Sequence, residues 1–127
     1  MVLLEKSVLL TPVAECRQNC EFLIDVIDQP RDVIGKYLQV DLLDAKAVSV
    51  CFDNIGHFDC LANIAGGFDM GPTGWESTEE LWDTMFSINV TTLRRVLSAA
   101  IPRMIESGKG SVVNVGAMGA LLSLIHI

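Results

Sequence analysis

β-prone runs alternate with segments of helical periodicity along most of the chain. The most compact run, Phe58–Ile64, is mainly apolar and passes directly into Ala65-Gly66-Gly67; Tyr37–Leu42 and Ser111–Val115 have the same strand character. Strands of this kind, spaced by helices, are buried on both faces in a parallel sheet. Val8–Thr11, stopped by Pro12, and Glu21–Ile27 read as two further strands. The expected fold is therefore α/β: an open, doubly wound parallel sheet of about five strands.

The helices have clear signals. Asp44 is placed to cap a helix carrying Ala47, Val48, Cys51, Phe52 and Ile55 on one face, with Gly56 as its stop. Phe68–Trp75 reads as a loop. Ser77-Thr78-Glu79-Glu80 has the spacing of a capping box and opens a long helix, Ser77–Ser107, bent near Pro102 and ended by Gly108 and Gly110. One connection breaks the pattern. Pro12–Cys20, between the first two strands, contains no glycine and is too short for the turn and helix of a parallel crossover.

Length and charge exclude several function classes. With 127 residues the chain holds at most one domain. Its 16 acidic against 9 basic residues, a net charge of −7, oppose a nucleic-acid partner, which requires a basic face. No apolar run approaches the ~18 residues of a membrane span, and Met1–Lys6 lacks the form of an export signal, so a cytoplasmic protein is expected. Cys16, Cys20, Cys51 and Cys60 form no CxxC pair and have no histidine at ligand spacing, which predicts reduced thiols and no metal site. Leu122–Ile127 matches what the end of a transposon-based sequencing adapter encodes in one reading frame. The protein part is accordingly expected to occupy residues 1–121, with 122–127 as read-through.

Open parallel sheets bind ligands beyond the carboxyl ends of their strands. Three such ends follow in order: Asp41-Leu42-Leu43-Asp44, Asn63-Ile64-Ala65-Gly66 and Asn114-Val115-Gly116-Ala117. Asn89 is an additional polar residue on an otherwise apolar helix face.

Together, from about Asp28 to Ala120, these motifs resemble the short-chain dehydrogenase/reductase family in order and approximate spacing. The resemblance implies a Rossmann-like fold with NAD(P) lying across the strand ends. It places Asp41 and the Leu42 backbone at the adenine, and Asn63, Ala65 and Gly66 in a variant of the family's Asn-Asn-Ala-Gly signature beside a cofactor ribose. It gives Asn89 the place of the helical asparagine that holds a water in the proton relay. Asp28 takes the place of the acid on the adenosine ribose, with Asp25 as a rival; an acid there favours NAD over NADP by repelling a 2′-phosphate. The resemblance also implies a small carbonyl or alcohol substrate and association of subunits through the 77–107 helix.

The departures are equally specific. The glycine-rich turn after the first strand is absent, Ala117 stands near the place of the catalytic serine, and no Tyr-x-x-x-Lys occurs; the single tyrosine is Tyr37. The expectation is an incomplete NAD(P)-dependent oxidoreductase domain lacking its C-terminal strands and inactive as it stands. The alternative is a non-catalytic binding or regulatory module on the same scaffold.

Overall fold

The computed structural model describes residues 3–5, 8–11, 22–25, 36–69, 72–73 and 75–116. Asp28, Ala117 and the adapter-like tail lie outside these residues. The elements in chain order are β1 (Leu3–Glu5), β2 (Val8–Thr11), β3 (Phe22–Asp25), β4 (Lys36–Gln39), α1 (Ala45–Ile55), β5 (Cys60–Asn63), β6 (Gly66–Phe68), α2 (Glu79–Phe86), a π-helical turn (Ser87–Thr91), α3 (Thr92–Ser107) and β7 (Ser111–Asn114).

Five strands form one sheet in the order β4-β3-β2-β5-β7. β3 and β4 pair in parallel, as do β5 and β7, but β2 runs antiparallel to both of its neighbours. Four strands thus share one direction, in keeping with the expected incomplete Rossmann-like α/β sheet, and the central β2 alone departs from it by running the opposite way. The cause lies in the short connection. Residues 12–21 cannot carry a crossover helix, so β3 lies beside β2 in the opposite sense.

Reversal has a second consequence. Val8, the first residue of β2, pairs with Asn63 and Ile24, whereas Thr11 pairs with Cys60. The chain before β2 therefore lies at the edge where the other four strands end. There β1 pairs antiparallel with β6, in a segment that reads as turn and loop from sequence.

α1 and α3 pack on each other and share a core with the sheet, in which Phe52, Val48, Val96 and Ala100 surround Leu61 and the fully buried Ile24. Burial of each large member contributes about 1.5–3 kcal/mol. Phe52 and Phe58 add a tilted ring contact at 5.5 Å. All four residues of β7 are exposed, Val112 and Val113 on its opposite faces, so neither face of this strand is covered by a helix among the described residues.

Asp44 caps α1, accepting from the backbone N–H groups of Lys46 and Ala47 at 2.8 and 3.1 Å. The next cap falls one residue later than the sequence suggests: the Thr78 hydroxyl accepts from Leu81 N–H, while Ser77 donates to the Thr73 carbonyl. The long helix is also divided. Between α2 and α3 the Thr92 N–H reaches the Ser87 carbonyl, a five-residue step that inserts a π turn at Ser87–Thr91.

Candidate functional site

Because β4, β5 and β7 share a direction, the segments that follow them collect along one edge of the sheet. Asp41 and Leu42 follow β4; Asn63 ends β5 and leads to Ala65 and Gly66; Asn114 ends β7. This is the edge at which an open α/β sheet receives a ligand.

Asn63 is 5 % exposed, and its amide nitrogen donates to Asn114 Oδ1 at 2.8 Å. The two asparagines are register partners at the ends of adjacent strands. Asn63 Oδ1 is buried without a hydrogen-bond partner among the described residues, an acceptor that favours occupation by a donor. Asn114 was not singled out as a site residue from sequence. Its position at the end of the next strand, matching Asn63, is the signal that could have found it.

Asn89 sits in the π turn with its side chain fully engaged. Its Oδ1 accepts from the Gly67 N–H at 3.0 Å, and its Nδ2 donates to the carbonyls of Gly67 at 3.0 Å and Met85 at 2.9 Å. The side chain thus joins the turn to β6. A Cβ on Gly66 would lie 2.7 Å from Asn89 Oδ1, so the close approach of these segments requires glycine there.

Asp41 is exposed, and its Oδ1 accepts from the Leu43 N–H at 2.8 Å, closing the turn into α1. Leu42 buries its side chain in the core, which leaves only its backbone for a ligand. Burial pushes the Cys51 thiol up to about 11, so this free cysteine has the character of a small apolar residue.

The opposite edge carries a second polar cluster. Asp59, 2 % exposed, receives Lys109 Nζ at 2.9 Å. His57 Nε2 lies 2.6 Å from the other carboxylate oxygen but off the line of a hydrogen bond, so the lysine contact dominates. Lys109 first, with the charge of His57 adding to it, holds the Asp59 carboxyl below the usual range against the opposing effect of burial. Asp59 belongs to the start of β5, and its carbonyl accepts from Ser111 N–H at 2.7 Å, so the cluster fastens β5 to β7. Neighbouring Arg103 pairs with Asp53.

The sheet order, the shared direction of four strands and the helices packed on them define an α/β domain with polar residues gathered at its strand ends. Residues 13–127 match the family of short chain dehydrogenases, and the chain belongs to that family. It is 32 % identical over 109 residues to the short chain dehydrogenase prhI of Penicillium brasilianum, covering 79 % of this chain and 42 % of that protein. Among solved structures, an NADH-dependent reductase, A1-R′, complexed with NAD superposes with a TM-score of 0.66 at 18 % identity, covering 78 % of this chain and 49 % of that one. ElxO with NADP bound gives a TM-score of 0.64 at 22 % identity, covering 68 % and 36 % of the two chains. These last two share the fold. The chain spans less than half of each of these three proteins.

The residues at the strand ends fit part of a nicotinamide dinucleotide. An unpartnered acceptor on Asn63 suits a hydroxyl-bearing ribose, whereas the space a side chain would take at Gly66 is filled by Asn89 Oδ1. The pyrophosphate portion has no matching cradle in the sequence, whose first glycine is Gly35.

Proposed function

We propose that this chain is the dinucleotide-binding portion of a cytoplasmic short-chain oxidoreductase that transfers hydride between a nicotinamide cofactor and a small carbonyl or alcohol substrate, and that the 127 residues alone do not turn over. The observation that carries this reading is the pair of polar contacts beyond the sheet edge, Asn63 with Asn114 and Asn89 with Gly66 and Gly67, at positions that resemble the family's motifs.

In this reading Ala65 and Gly66 lie against the ribose, Asn63 presents its free acceptor beside them, and Asp41 with the Leu42 backbone meets the adenine. Asp28 receives the adenosine ribose hydroxyls and favours NAD over NADP by charge. Asn89 serves the proton relay as a positioning residue, because its side chain is committed to Gly67 and Met85. A bound nicotinamide supplies the hydride. The general acid/base of the family is a tyrosine assisted by lysine, and no Tyr-x-x-x-Lys occurs in these residues. The exposed groove along the π turn and α3, lined by Val90, Leu93, Leu97 and Ile101, is the surface through which subunits associate.

The test compares NAD⁺ and NADP⁺ binding to the chain by ligand-observed NMR, followed by NADH consumption with a panel of carbonyl compounds. The expected result is weak binding, stronger for NAD⁺, without NADH consumption. Equal affinities would contradict the preference, and steady consumption would contradict the inactivity.

A further inference from the structure

The ladder between β1 and β6 determines what can reach Gly66. Its register pairs Leu3 with Phe68, Leu4 with Gly67 and Glu5 with Gly66. In an antiparallel ladder, residues that exchange hydrogen bonds alternate with residues whose backbone groups point away from the partner. Gly67 gives both its N–H and its C=O to Asn89, so its backbone faces the π turn rather than β1. The backbone groups of Gly66 and Phe68 accordingly face β1, and Glu5 takes up those of Gly66.

We propose that β1 is an autoinhibitory strap: it occupies the backbone edge of Gly66 that a dinucleotide ribose must approach, and it has to unpair from β6 before the cofactor binds. The inference rests on the dinucleotide reading above. It also follows from the reversal of β2, which places β1 at the edge where β3, β4, β5 and β7 end, at Asp25, Gln39, Asn63 and Asn114. Three residues make a short ladder, joined to β6 by few hydrogen bonds. Such a ladder opens at a small fraction of the cost of global unfolding.

The experiment uses Glu5→Pro in the full chain. Proline removes the Glu5 N–H that faces Gly66, whereas Leu4→Pro alters a residue whose N–H points away from β6, and therefore serves as the control. Amide hydrogen exchange at Gly66 and Phe68 reports the ladder, and NADH titration followed by ligand-observed NMR reports the site. The strap predicts that Glu5→Pro loses protection at both amides and binds NADH at least about tenfold more tightly, with Leu4→Pro close to the parent chain. Unchanged NADH affinity in Glu5→Pro, with binding detected in both chains, would overturn the strap while leaving the dinucleotide reading standing. No binding by either chain at millimolar NADH, with protection lost in the variant, would overturn the dinucleotide reading and the strap's inhibitory role together.

Discussion

Asn89 and Gly66 depend on each other. In Gly66→Ala the new Cβ meets Asn89 Oδ1 at 2.7 Å, and the side chain that joins the π turn to β6 has to move. A loss of about 1–3 kcal/mol is expected in urea unfolding. Asn89→Asp tests the same junction differently: it keeps an acceptor for the Gly67 N–H but turns a carboxylate toward the carbonyls of Gly67 and Met85. This variant is expected to be less stable than the parent at pH 7 and to recover part of the difference as the carboxyl protonates; a difference independent of pH would count against the assignment. Asn89 stood out in the sequence because an amide on an apolar helix face needs partners. Its actual partners could not be read there, since Gly67 lies 22 residues away and the π turn leaves no periodicity signal of its own.

Asp59 is the clearest case in which charge controls stability. Its carboxyl is held below the ordinary range, chiefly by Lys109, so the folded state gains stability above about pH 4, the unfolded value, and loses it as pH falls through the lower folded value. Lys109→Met leaves a buried carboxylate without its principal cation. The variant should be less stable than the parent at pH 7, and the gap should narrow between pH 7 and pH 3 as Asp59 protonates and its charge no longer needs a partner. Denaturant midpoints at the two pH values check this, and an equal gap at both would contradict it. The pairing of Asp59 with Lys109 is a contact across 50 residues that only the fold brings together.

At the scale of elements, helix signals read well because caps and periodicity are local. α1 begins after Asp44 and stops at Gly56, as its residues suggest. The cap of α2 shifts from Ser77 to Thr78 because adjacent hydroxyls compete and Thr73 offers Ser77 another acceptor. Thr78→Ala should therefore destabilise the chain by about 1 kcal/mol and Ser77→Ala by less, as compared by thermal unfolding; the reverse order would restore the earlier cap. Strand direction was harder to read. Apolar content showed that the strands are buried, and only the length of the Pro12–Cys20 connection carried information about the reversal of β2. The pairing of β1 with β6 had no sequence signal, because three residues are too few for a period and the glycines of β6 read as a turn.

Among the described residues α1 and α3 form a layer over a sheet whose strand ends carry Asn63 and Asn114, with Gly66 just beyond β5. Family membership is established over residues 13–127, and the chain spans 42 % of prhI. In the proposed reading cofactor recognition is assigned to these residues. The most direct measurement of that assignment is a backbone-amide NMR titration of the chain with NADH. Shifts are predicted to concentrate at Ala65, Gly66, Asn63 and the Asp41–Leu42 turn, with the Asp59–Lys109 edge unmoved. Binding that instead moves the Asp59–Lys109 edge, or no shift at millimolar NADH, would contradict it.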